Sequence, residues 1–461
     1  RLCRDWSSDV CSSDLTVVPG TNPVYGLNTL GGAISVNTKS GFAFPGTSIG
    51  LGAGAFGRKT LDAQHGGHGE NTDYYLAASL YDERGWTQFN PSRVRQFFGK
   101  TGFQDRDTDI DLSIQYADNR LGGNQMVPQS MLADAAQGYT HPDVTSTENF
   151  VLNLSGVRDL SETEGVQGNL YYRRISRDIL NSNVNDPVVP GSPAQLASCT
   201  ALYGEACAQM ILNHETQNAY GLNLQYTNQG QLLGRRQYLS AGANAESGAA
   251  TLSQLAQGAV VDASRAVMGV APFSPQSTVD SRIRRYALYA TDTLSFGERS
   301  SLTVSGRFDR ASVDLSGTSV DEAGNPVSLD GNHSYQRFDP AIGGTYALLP
   351  STTLFANYAE GFRTPSAIEL ACADPAHPCA GVPNAFSADP DLKAVVAKSL
   401  EVGARGRLGR DAAWRIAAFH STLYDDILFN QSTVSTGYFS NVGKTRREGI
   451  ESSLRSEEHT S

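Results

Sequence analysis

Few residues in this chain are spaced for covalent chemistry. Gly52-Ala53-Gly54-Ala55-Phe56-Gly57 matches the glycine pattern of a dinucleotide-binding turn, and Asp73 stands near the spacing of a ribose-binding acid. That chemistry needs a helix to open at the third glycine. Arg58 to Asn71 instead contains Gly66-Gly67-His68-Gly69 and no helical apolar period, so small residues in a first strand explain the pattern better. His65 and His68 flank what reads as a Gly-Gly turn, and a metal site there would need further converging ligands. Cys372, His377 and Cys379 supply only three. The other histidines are scattered and no serine stands in a nucleophile-elbow context. The expectation is a protein with no catalytic residues, no metal and no cofactor.

The elements that position the remaining residues are strands. Asp109-Ile110-Asp111-Leu112-Ser113-Ile114-Gln115-Tyr116 puts apolar residues on one face and polar ones on the other. Similar alternation runs through 149–155, 220–226, 302–309 and 400–405. Successive side chains of a strand point to opposite faces, so these are two-faced strands. Roughly fifteen to seventeen of them are counted between residues 47 and 454. Short polar turns fall at 159–165, 297–300 and 407–412. Long Gly/Pro/Asn/Asp-rich stretches fall near 119–147, 178–217, 247–280, 314–334 and 363–395.

Long and short connections in alternation suit an antiparallel transmembrane β-barrel better than a soluble sandwich. The polar face carries Asp109, Asp111, Asn153, Gln225, Arg307, Asp309, Glu401 and Arg405, too much charge for a dry core. A wide barrel with a wet lumen accommodates them. Tyr74, Tyr75, Tyr116, Tyr171, Tyr172, Phe296, Tyr346, Tyr358 and Phe429 lie near strand ends, as interfacial girdles would, although soluble sheets also place aromatic residues there.

Composition agrees. Over 461 residues the chain carries 36 Lys+Arg against 47 Asp+Glu, a net charge of −11, with no basic block to attract nucleic acid. No apolar run approaches the ~18 residues of a spanning helix. The two ends need separate treatment. Asp9 to Leu15 and Arg455 to Ser461 can be encoded by reverse-complementary DNA, as an adapter ligated to both ends of one fragment would produce. Residues 1–15 and 455–461 are therefore expected to be adapter-derived and set aside, removing Cys3 and Cys11 as candidates.

Residues 18–39 differ from the strands that follow, reading as a turn, a Gly-Gly pair and a short strand from Ala33 to Thr38. Tyr25-Gly26, then Leu30-Gly31-Gly32-x-Ile34-x-Val36-x-Thr38, resembles the end of the plug domain in TonB-dependent outer-membrane receptors. Segments 354–365, 389–403 and 438–451 resemble later parts of that family in the same order. The resemblance implies an all-β fold, with the end of the plug at 16–45 and a partial barrel at 46–454. The family barrel has about 22 strands around a plugged lumen, so strands and most of the plug are expected to be missing, with open edges and no transport by this piece alone. It further implies import of a scarce bulky solute, most often a ferric siderophore, driven by TonB of the inner membrane. Outer-membrane lipid and an extracellular ligand would be the other partners. A passive porin, or a receptor for cobalamin or an oligosaccharide, remains the alternative.

Cys199/Cys207 and Cys372/Cys379 each fall in one proposed extracellular loop. An exported barrel matures in an oxidising periplasm, so two local disulfides are expected. Ligand contacts should sit on the long loops, with Trp86, Tyr139, His141 and Arg363 as candidates; loop-internal packing is the competing role for each.

Overall fold

The computed structural model describes residues 13–19, 26, 29–30, 32–123, 127, 129–184, 206–320, 325–371, 373, 379–380, 392–409, 412–431 and 436–456. In chain order its strands are β1 (Ser13–Pro19), β2 (Gly32–Thr38), β3 (Gly46–Ala53), β4 (Lys59–His68), β5 (Thr72–Glu83), β6 (Ser92–Gln104), β7 (Thr108–Gly122) and β8 (Val144–Asp159). There follow β9 (Glu164–Val184), β10 (Ala206–Asn228), β11 (Gln231–Leu232), β12 (Arg235–Val261), β13 (Val267–Gly269), β14 (Ser274–Phe296) and β15 (Ser300–Val320). The last are β16 (Pro326–Ser328), β17 (Gly331–Leu349), β18 (Thr352–Arg363), β19 (Cys379–Ala380), β20 (Val395–Leu408), β21 (Ala412–Gln431) and β22 (Thr436–Ser456).

β1 and β2 form a separate two-stranded sheet. The other strands make one barrel sheet. Its sixteen long members pair antiparallel with the next long strand throughout, from β3–β4 to β21–β22. That matches the expected count. β11, β13, β16 and β19 are short pieces beside strand ends. β3 and β22 are neighbours across the barrel seam, where no register joins them among the described residues. Leu51 on β3 and Ile450 on β22 are correspondingly bare, at 82% and 75% exposure.

Period-two alternation sorts the residues as anticipated. Leu112, Leu154, Leu170 and Leu222 stand in one cross-strand row on the outside, while Asp109, Asp111, Gln167, Asn169, Asn223 and Gln225 line a cavity inside. The same period corrects the aromatic girdle. In the tandem pairs only one tyrosine can face out: Tyr74 and Tyr172 do, whereas Tyr75 is 1% exposed and donates to Gln64 Oε1 at 2.5 Å. Tyr171 lines the lumen.

The short turns fall where the sequence places them, but the long loops are shorter than expected. β9, β10, β12, β14 and β15 run on through residues assigned to loops at 178–184, 206–217, 247–261, 274–280 and 314–320. Beyond the lipid the outward positions turn polar and the alternation fades. The backbone ladder needs no apolar face and continues.

A second correction concerns Gly66-Gly67, which lies inside β4; the turn comes at Gly69–Asn71. The glycine is needed because residues 41–44 cross it closely: a Cβ on Gly66 would stand 2.2 Å from the Phe44 carbonyl oxygen. His65 hydrogen bonds to Thr47 Oγ1 and the Tyr74 hydroxyl, at 2.8 and 2.9 Å.

Candidate functional site: the polar lumen and its mouth

The lumen is organised by asparagines at matching heights on consecutive strands. Asn244 Nδ2 on β12 donates to Asn223 Oδ1 on β10 at 2.6 Å. Asn223 Nδ2 donates to Asn169 Oδ1 on β9 at 2.8 Å, and Asn169 Nδ2 to Asn153 Oδ1 on β8 at 3.1 Å. Register places Asn223 directly opposite both Asn169 and Asn244. An amide carries both donor and acceptor, so each link can pass on to the next.

Arg307 on β15 heads this chain. It donates to Asn244 Oδ1 at 2.8 Å and makes a two-pronged pair with Asp309, at 2.7 and 2.9 Å. Both partners are almost fully buried, and the guanidinium lies 5.7 Å from the Tyr289 ring centre. Arg285 bonds Glu246 beside them at 3.1 Å. Together these groups line a cavity of about 200 Å³ that Gly26 also borders.

The segment before the barrel therefore touches the lumen wall. A Cβ on Gly26 would lie 3.8 Å from Arg307 Nη2. Leu30 packs against an apolar cluster of Val313, Leu315, Leu370 and Val395. Further on, the Gly41 and Phe42 N–H groups donate to Asp73 Oδ2 at 2.6 and 3.3 Å. Of the tail motif, Gly32 and Ile34 lie in β2, starting one residue before the expected strand. Tyr25 and Gly31 are outside the described residues.

The mouth is built by the long connections. Residues 129–143 cross to the β12–β13 turn. The His141 N–H donates to the Arg265 carbonyl at 3.2 Å, and the Val267 N–H to the His141 carbonyl at 2.8 Å. Arg265 Nε donates to the Tyr139 carbonyl at 2.6 Å, its guanidinium 4.6 Å from the Tyr139 ring centre. The His141 ring stacks on Phe89 at 3.7 Å, and the Gln88 N–H reaches the Ala136 carbonyl at 2.8 Å. Trp86 belongs to this same connection and is exposed. Trp86, Tyr139 and His141 thus share one side of the mouth. Arg363 ends β18, several strands further round, where Nη1 bonds Glu369 Oε2 at 2.7 Å. Glu369 in turn closes the capping box of a short helix, Ala367–Leu370, with Ser366. Arg363 is therefore engaged in holding its own loop.

Sequence reading named Arg307, Asp309 and Asn153 only as polar-face residues; the asparagine relay and Arg265 escaped it. Asparagines recurring on the polar face of successive strands were the available signal, but register decides which of them meet. Cys199 and Cys372 lie outside the described residues, as do the side chains of Cys207 and Cys379. His377 is outside them too.

Residues 27–457 match the family described as TonB dependent receptor-like, beta-barrel. Solved structures share the fold at low identity. The ferric-catecholate import receptor Fiu from E. coli K12 aligns with TM-score 0.77 and 15% identity, over 95% of this chain and 66% of that one. The siderophore receptor PiuA from Acinetobacter baumannii gives 0.74 and 14%, over 96% and 66%. The ferric yersiniabactin uptake receptor FyuA from Yersinia pestis gives 0.72 and 14%, over 96% and 64%. This chain thus spans about two thirds of the length of these relatives. With its polar lumen, apolar outer wall and this match, it belongs to the TonB-dependent receptor-like β-barrel family of the outer membrane.

Proposed function

We propose that this chain forms the barrel wall of a receptor that captures a scarce bulky solute outside the cell and imports it with energy delivered by TonB. A ferric siderophore is the favoured solute class. The observation that carries this reading is the tail segment inside the mouth: Gly26 against Arg307 and Leu30 in the apolar cluster. A passive porin has no use for a separate segment seated in its lumen. On this reading residues 16–45 end a plug domain and 46–454 are barrel. TonB, outer-membrane lipid and the iron chelate are the partners, and no covalent step is involved. The relatives' names, ferric-catecholate and ferric yersiniabactin receptors among them, support iron chelates over cobalamin or oligosaccharide. The Trp86, Tyr139 and His141 side of the mouth is the proposed ligand-contact face.

The test is uptake by a strain whose iron supply depends on the intact gene. Deletion should abolish growth on one ferric chelate, and loss of TonB should do the same. Undiminished uptake of every ferric chelate would overturn the siderophore reading. Uptake that persists without TonB would overturn the coupled receptor and leave the porin.

A further inference from the structure

The side of the mouth formed by residues 129–143 and the β12–β13 turn holds two donors that no described residue uses. Arg265 spends Nε on the Tyr139 carbonyl, and its guanidinium lies over the Tyr139 ring. Arg265 Nη2 and His141 Nε2 are both shielded from water, and neither has a hydrogen-bond partner among the described residues. A shielded donor left without an acceptor is costly, the more so on a cation. No carboxylate pairs with Arg265 among the described residues either. The acids of the same two segments face other groups: Asp262 Oδ1 accepts from Ser264 and Ala266, and Asp143 Oδ1 accepts from the Ser182 N–H at 2.6 Å.

The frame around these donors is fixed. The Thr140 hydroxyl donates to the Ser182 carbonyl and the Ser182 hydroxyl to the Pro142 carbonyl, each at 2.6 Å, so residues 139–143 are stapled to the end of β9. Thr140 and Ser182 are almost completely buried. Arg265 is held at φ 70°, in the left-handed region that residues with a side chain rarely adopt. Phe89 likewise stands at φ 58° and lays its ring on the His141 ring at 3.7 Å while remaining 51% exposed. Strained backbone persists where its surroundings over-determine it, and it gathers at ligand clamps. Phe89 covers the imidazole from the solvent side but offers neither donor an acceptor.

We propose that Phe89 is a lid over an oxyanion pocket, in which His141 Nε2 and Arg265 Nη2 receive a carboxylate group of the ligand. The inference rests on the reading that this side of the mouth meets the imported solute, and it adds the chemical group met there. Once the Phe89 ring turns aside, the carboxylate supplies one acceptor oxygen to each donor and neutralises the Arg265 guanidinium. Donors held in place and already free of water favour a charged acceptor over a neutral one. Tyr139 and Trp86, which stands three residues before Phe89 and is 58% exposed, flank the opening with aromatic surface.

The test uses the whole chain in detergent micelles, with benzoate and its neutral isostere benzamide as probes and saturation-transfer NMR as the readout. Benzoate should bind about tenfold more tightly or better, the margin of a charge-assisted over a neutral hydrogen bond. Arg265→Gln should remove that preference, whereas Arg236→Gln, one charge fewer at the opposite end of β12, should keep it. Phe89→Ala should tighten benzoate binding about tenfold or more, because a lid open for about a tenth of the time or less lowers affinity by that fraction. A Phe89 that served as a stacking wall for the ligand would give the opposite sign. Equal binding of the two probes by the unsubstituted chain, a preference that survives Arg265→Gln, or unchanged or weakened binding in Phe89→Ala would each overturn the proposal. The reading beneath it fails separately. A benzoate preference in a protein whose gene is dispensable for growth on every ferric chelate keeps the pocket and removes the siderophore. Growth that needs the gene, with no benzoate preference, removes the pocket alone.

Discussion

Asp309→Ala should be among the most damaging single substitutions in the barrel wall. Asp309 and Arg307 are 4% and 6% exposed at the side chain and share two hydrogen bonds of 2.9 and 2.7 Å. Truncating the acid leaves a buried guanidinium with only Asn244 and the Tyr289 ring face. Breaking a buried pair from one side costs about 3–5 kcal/mol, because the surviving charge is uncompensated. That is a loss of roughly 150-fold to several thousand-fold in the folding equilibrium constant. Replacing both groups, as Arg307→Leu/Asp309→Leu, removes the stranded charge and should recover most of the deficit, since apolar substitutes for buried pairs are often neutral. The assay is reversible urea unfolding in phospholipid vesicles, followed by fluorescence of Trp86 and Trp414, with the four corners of the double-mutant cycle compared. A deficit below about 1 kcal/mol for Asp309→Ala would refute the reasoning, for it would show a solvated pair. So would a double variant as unstable as the sum of the singles.

Three further outcomes are expected. Asn223→Leu removes the middle of the amide relay and leaves Asn244 without its acceptor and Asn169 without a donor; the same urea assay should show a loss of about 1–3 kcal/mol, and no loss would mean that lumen water replaces the relay freely. Ile342→Arg, on the exposed outer face between Val304 and Tyr358, should cost about 2–4 kcal/mol in vesicles as a cation facing lipid, and little in detergent micelles; equal losses in both would place that face outside the lipid. In the β12–β13 turn, the Ser264 hydroxyl, with the Ala266 and Ser264 N–H groups, holds Asp262 below its ordinary carboxylate range. A lowered folded value means the stabilisation is complete above the unfolded value near 4 and is lost as pH falls through the folded one. Exchange protection of the Ser264 and Ala266 amides should therefore hold from pH 5 to 8 and fail only in stronger acid; loss of protection at pH 6 would contradict it.

How much of this was legible beforehand follows from what each signal encodes. Alternation in 109–116 and 220–226 revealed both faces of the wall, because a strand's side chains alternate whatever surrounds it. The glycine-rich run at 52–57 ends β3 and turns into β4, in keeping with its reading as small residues of a first strand. Strand length did not follow from sequence: β12 runs from Arg235 to Val261, well past the residues whose outer face is apolar. For Arg363 the sequence left ligand contact and loop-internal packing as competing roles, and in the structure it donates to Glu369, six residues on.

By itself the sequence determined the two-faced strands, their approximate number and the short turns, all properties of neighbours along the chain. The tertiary structure decided which polar residues meet. Asn153, Asn169, Asn223 and Asn244 lie far apart in sequence and are joined by register, where a slip of one residue would turn each of them to the lipid. It also decided that Tyr139 and His141 share a face with Phe89 and Arg265. Pairing between strands is long-range, so its chemistry exists only once the strands stand in register around the lumen.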